Sequence, residues 1–172
     1  AGKLTGNLQD FQHLRPDQVT KADLDHLRAL YDGEIRYTDN EIGRLIAHLK
    51  ERDVWRNTMM LVTSDHGEEF LEHGSWEHQK TLYEEVVRIP LVVAGPGVAP
   101  RRETKAVNLL DVAPTILDFL KAGVPPTMKG VSLLQPVSDQ RETYGETDQT
   151  PDGARLSFLR GGAASWKAIL RS

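Results

Sequence analysis

From about Lys21 the chain carries Leu24, Leu27, Tyr31, Ile35, Thr38, Ile42, Leu45 and Leu49 at steps of three and four. That period puts them on one stripe of an α-helix and predicts a buried face. The stripe runs for roughly 30 residues, long for a globular helix, so a break is expected near Gly33 or Thr38-Asp39. Before it, residues 1–19 show no clean period and read as an irregular lead-in. After it, "ERDVWRNT" turns the chain into "MMLVTSD", residues 59–65, a short apolar run rich in β-formers that predicts a buried strand. "TLYEEVVRIP" predicts a short helix or turn. "PLVVAGPG" predicts a second buried strand, ended by Gly95-Pro96-Gly97. "VNLLDVAPTILDFLKAG", residues 107–123, predicts a helix with Pro114 in its first turn and Gly123 at its stop.

Beyond Pro125-Pro126 the pattern changes to three short strands, "TYGET", "RLSFLRG" and "SWKAILR", separated by glycine-rich turns. The expected fold class is therefore α/β: a mostly parallel sheet with flanking helices, followed by a small C-terminal antiparallel sheet. The last strand runs to Ser172, and a domain seldom stops inside a strand, so a truncated chain is expected.

Composition narrows the class without choosing a function. With 172 residues, 39% apolar and 27% charged, the chain reads as a folded globular one with volume for a core. A formal net charge of −4 with both signs interspersed argues against nucleic acid as the main partner. No apolar run approaches the roughly 18–20 residues that span a bilayer, so no membrane partner is evident. There is no cysteine, which excludes disulfides, thiolate zinc sites and a cysteine nucleophile within this chain and says little about compartment. Localisation is left unassigned.

The candidate chemistry sits at the end of the first strand. Of six histidines, three (His66, His73 and His78) fall within the stretch from Asp65-His66-Gly67-Glu68 to His78. In open α/β sheets functional groups gather beyond the carboxyl ends of strands. A carboxylate and an imidazole on adjacent residues converge on one cation only where the backbone turns sharply, which Gly67 permits. Mixed oxygen and nitrogen ligands suit manganese, zinc or iron and are less typical of calcium. On spacing alone, the same residues equally fit a solvated loop turn. Glu68, Glu69, Glu72 and Glu77 likewise fit a solvated loop.

A longer pattern changes the weighting. "YDGEIRYTDNEIGRLIAHL", "NTMMLVTSDHGEEFLEHGSWEHQKTLYEEVVRIPLVVAGPG" and "LLDVAPTILDFLKAGVP", over roughly residues 30–135, resemble the sulfatases of the alkaline phosphatase superfamily, in the family's order. The resemblance implies that Asp65 and His66 are metal ligands for a divalent ion (calcium, manganese or zinc). It places His78, with Lys80 as the alternative, against the anionic group or leaving oxygen of an ester. There a cation meets growing negative charge, and a histidine can also hand over a proton. His73 and Glu68 are implied as supporting groups of structural role, and Arg88, Asp111, Pro114 and Thr115 as structural positions. "YGETD" and "SWKAIL" are similar to the start of the family's small C-terminal sheet.

The resemblance also implies parts that are not in this sequence. Family members attack with a formylglycine made in a C/S-x-P-x-R motif, or with Thr or Ser in related branches. No such motif occurs here, and the N-terminal acidic ligand pair is missing too. The implied organisation is residues 1–135 as the C-terminal part of a sulfatase-like α/β domain and 136–172 as the start of a truncated C-terminal subdomain. The implied substrate is a sulfate or phosphonate ester, handled by a longer enzyme. The chain alone is expected to be inactive and to self-associate through an exposed sheet edge. Three rivals stand beside a sulfate monoester hydrolase: a phosphonate or phosphodiester hydrolase, a phosphoglycerol transferase, and a non-catalytic α/β binding module.

Overall fold

The computed structural model describes residues 16–78, 80–150, 154–161 and 166–171. The expected lead-in lies outside the described residues up to residue 15, and Pro16–Gln18 form a single 3-10 turn. The chain divides into two compact units, residues up to Arg56 with Glu68–Glu77, and Asn57–Gly67 with residues from His78 onward.

The first unit is built on α1, Lys21–Glu51. Its start is fixed by a capping box, in which Thr20 accepts from the Asp23 N–H and the Asp23 carboxylate accepts from the Thr20 N–H. The helix does not break at Gly33 or Thr38. A glycine inside a helix costs only about 1 kcal/mol, and the cap together with the Lys21–Asp25 and Glu41–Arg44 pairs offsets part of that cost. The predicted stripe is helical, but it is not buried. Leu27 alone is buried along it, while Ile35 is 54% and Leu45 51% exposed. Periodicity shows that a face is apolar; whether it is covered depends on a neighbour.

Strands β2 (Glu69–Phe70) and β3 (Trp76–Glu77) form an antiparallel hairpin in the same unit. Arg28 holds it to α1: its guanidinium donates to Glu72 Oε1 at 2.7 Å and lies 5.9 Å from the centre of the Phe70 ring. Tyr31 meets that ring edge-on at 5.4 Å. Among the described residues, Leu27 and Trp76 are the buried apolar residues of this unit.

In the second unit β1 (Met60–Thr63) pairs with β4 (Leu91–Ala94), Met60 opposite Ala94 and Thr63 opposite Leu91. The short helix α2, Glu84–Val87, lies between them in sequence. The pair is antiparallel, as is every strand pairing among the described residues, which corrects the expected mostly parallel sheet. A parallel neighbour requires a strand on both sides of a crossover helix. Among the described residues α1 has a strand only after it, and the four-residue α2 is too short to cross a sheet. The C-terminal sheet matches expectation: β5 (Glu142–Thr147), β6 (Leu156–Gly161) and β7 (Trp166–Arg171) run in antiparallel order.

Among the described residues of this unit, the fully buried side chains include two polar ones, Asp111 and Thr115. Helix α3, Val112–Phe119, is shorter than the 107–123 span and is preceded by a 3-10 turn at Leu109–Asp111. Asp111, Pro114 and Thr115 are fully buried, in keeping with the structural role implied for them. Asp111 accepts both guanidinium nitrogens of Arg141 at 2.6 Å and the backbone N–H groups of Asn108 and Val131 at 2.9 Å. Thr115 donates to the Asp111 carbonyl at 2.6 Å and accepts from the Leu133 N–H at 2.9 Å. These bonds tie α3, the 131–133 segment and the entry to β5 into one block.

Candidate metal centre

β1 ends at Thr63, and two residues later Asp65 and His66 leave the strand on the segment that returns to α2. Two contacts fix this exit. The Thr63 hydroxyl donates to the Pro90 carbonyl at 2.8 Å, and the Gly67 N–H donates to the Val86 carbonyl at 2.7 Å. Val86 is itself buried, so its carbonyl is a firm anchor.

Gly67 is needed here for a reason other than the sharp turn expected of it. It is not among the glycines with positive φ. Instead, a β-carbon at this position would lie 2.0 Å from the Glu85 carbonyl oxygen. Only a residue without a side chain lets the two backbones approach so closely.

The side chains around this exit are organised by the same backbone. The His66 N–H donates to Asp65 Oδ1 at 3.0 Å, leaving Oδ2 turned toward His66 Nε2 at 3.6 Å. Hydrogen bonds from the N–H groups of Asp65 itself and of His66, followed by the charge of His66, hold the Asp65 carboxyl below its ordinary value. It is thus an anion at neutral pH. His66 Nδ1 lies 2.8 Å from the Gly67 carbonyl oxygen. A carbonyl only accepts, so Nδ1 carries the proton, and in the neutral ring Nε2 is left with the lone pair. Metal-binding histidines are commonly set in this way, with one ring nitrogen donating to a backbone carbonyl and the other facing the ion. Ligand atoms each about 2.0–2.2 Å from one ion lie roughly 3–4 Å apart, and Oδ2 and Nε2 meet that spacing. The donor set therefore fits a divalent cation.

His78 joins them. Its ring stacks on His66 with centroids 3.7 Å apart and planes 21° from parallel. The structure thus places His78 against His66, which itself faces Asp65. Lys80 is half-buried in the segment between His78 and α2. Glu68 and His73 fold in the other unit, with His73 exposed between β2 and β3. Two contributors were not visible in the sequence. The Glu85–Val86 backbone that receives Gly67 carries no side-chain signature, and the ring stack depends on where the intervening hairpin returns the chain.

Residues 5–122 match the family model described as Sulfatase. The chain belongs to the sulfatase family. It is 37% identical over 124 residues to arylsulfatase K of Canis lupus familiaris, covering 72% of this chain and 23% of that protein. It is 34% identical to choline-sulfatase of Rhizobium meliloti, covering 78% of this chain and 26% of the relative. Among solved structures, a phosphonate monoester hydrolase from Silicibacter pomeroyi superposes with a TM-score of 0.76 at 29% identity, covering 94% of this chain and 37% of that one. This sulfatase chain spans about a quarter of the length of these curated relatives. The solved neighbours have alkaline-phosphatase-like folds.

Proposed function

We propose that this chain is the C-terminal part of a metal-dependent hydrolase acting on a sulfate monoester, with Asp65 and His66 as its share of the metal ligands. Residues 1–135 would complete the catalytic domain of the longer enzyme, and residues 136–172 would begin its small C-terminal subdomain. The observation that carries the reading is the adjacent carboxylate and imidazole lone pair, 3.6 Å apart, in a chain of the sulfatase family. A bound divalent cation there supplies Lewis-acid polarisation of an ester oxygen. The backbone around Gly67 orients the two ligands before any ion arrives, so binding does not have to order them. His78, or Lys80 in its place, would face the developing negative charge on the leaving oxygen.

A second reading replaces sulfur with phosphorus. It is favoured by the phosphonate monoester hydrolase, which matches 94% of this chain. The nucleophile that separates the two readings would come from residues outside this sequence. No cysteine and no S-x-P-x-R motif occur in it.

The test compares two samples with p-nitrophenyl sulfate and p-nitrophenyl phosphonate. The 172-residue chain with Mn²⁺ should turn over neither substrate. The longer protein that contains it should hydrolyse the sulfate preferentially and lose at least about 10²-fold in kcat/KM on Asp65→Ala. Metal-dependent turnover by the chain alone, or full activity of the Asp65→Ala protein, contradicts the proposal.

A further inference from the structure

We infer that His78 is a positioning residue for His66. Its ring face confines the His66 imidazole to the orientation in which Nδ1 donates to the Gly67 carbonyl and Nε2 faces Asp65. The inference rests on the metal reading only for what Nε2 is held to do; the support itself stands on the stack.

The His66 ring turns about its Cβ–Cγ bond, a torsion with broad, roughly two-fold preferences. One hydrogen bond, from Nδ1 to the carbonyl of the very next residue, fixes an edge of the ring but not its plane. Rotation of the ring out of this plane would weaken the Nδ1 hydrogen bond and carry Nε2 away from Asp65. A second flat ring at 3.7 Å and 21° from parallel removes that freedom, because tilting His66 drives it into His78. The chain gives up backbone comfort just before this ring: Glu77 holds φ at +69°, a conformation that residues with a β-carbon adopt only where their surroundings demand it.

Stacking uses the face of His78 and leaves its ring nitrogens on the perimeter. Support of His66 and contact with an ester oxygen are therefore separable at this one residue. Phenylalanine keeps the face and loses the nitrogens. Lysine keeps a cation and loses the face.

The experiment is a long-range ¹H–¹⁵N correlation of the histidine rings in the metal-free, ¹⁵N-labelled chain. It is run near pH 8.5, where ordinary imidazoles are neutral. His66 should be Nδ1-protonated in the native chain and in His78→Phe. In His78→Ala and His78→Lys it should shift toward the Nε2-protonated form that an unsupported imidazole favours. Lysine gives a second removal of the ring in case alanine leaves a hole the fold does not tolerate. Retention of the Nδ1 tautomer in both ring-less variants overturns the inference, as does its loss in a folded His78→Phe chain. Mn²⁺ is then added to each sample. Broadening centred on Asp65 and His66 should need about tenfold more Mn²⁺ in the alanine and lysine variants than in the phenylalanine one. No broadening in any sample would remove the metal reading, while the tautomer result still decides the stack.

Discussion

Arg141→Ala is expected to destabilise the second unit by about 3–5 kcal/mol, the cost of leaving a buried charge without its partner. Asp111 has no exposed surface, and the Arg141 side chain is 13% exposed. The pair is bidentate, with both guanidinium nitrogens 2.6 Å from the carboxylate. Two backbone donors remain to Asp111 in the variant, from Asn108 and Val131, but neither carries a full charge. Such a loss is a large share of the ~5–15 kcal/mol that stabilises a typical domain. Urea unfolding of the native and variant chains reads it as a lower midpoint at unchanged slope. Arg141→Met should recover little, because the carboxylate stays buried. Removing both charges together, Asp111→Asn with Arg141→Met, should cost less than Arg141→Ala alone. An Arg141→Ala chain as stable as the native one would show that the ion pair does not hold the block together.

Gly67→Ala is expected to destabilise the chain by about 1–3 kcal/mol through overpacking and to weaken Mn²⁺ binding at least about tenfold. The new β-carbon would meet the Glu85 carbonyl oxygen at 2.0 Å and its carbonyl carbon at 3.0 Å. Both are backbone atoms, so no change of rotamer relieves the clash and the strand exit must move. Moving it breaks the 2.7 Å bond from Gly67 N–H to Val86 and displaces the carbonyl to which His66 donates. Gly74→Ala is the control. Gly74 has φ +82° with open space around it, so alanine there costs roughly 1–2 kcal/mol of left-handed strain and should leave Mn²⁺ affinity unchanged. Thermal unfolding and calorimetric Mn²⁺ titration of both variants separate the two effects. Equal Mn²⁺ affinity in Gly67→Ala and native chains would mean that the close approach does not shape the site.

Much of this was legible in the residues, and the part that was not has physical causes. β5, β6 and β7 were readable because glycine-rich turns bound short runs of strand formers, and a strand of that kind pairs with the neighbour a turn delivers. α1 was readable from its period, yet its exposed Ile35 and Leu45 were not, since burial needs a second surface that periodicity does not describe. The direction of β4 against β1 was misread because it depends on the path of the 27-residue connection rather than on the composition of either strand. Asp65 and His66 could be named from the sequence as neighbours on a turn after a strand. The stack with His78 could not, because the eleven intervening positions include a hairpin whose return path no local pattern encodes. Gly67 was singled out correctly for the wrong reason: the residue type says that a side chain is not tolerated, not whether φ or a neighbouring backbone forbids it.

The shared cation is tested most directly by anomalous diffraction from a crystal of the chain soaked in Mn²⁺. One manganese peak is expected about 2.0–2.3 Å from both Asp65 Oδ2 and His66 Nε2, lost in crystals of Asp65→Ala. Manganese bound elsewhere with Asp65 and His66 untouched, or an undiminished peak in the Asp65→Ala crystal, would contradict it.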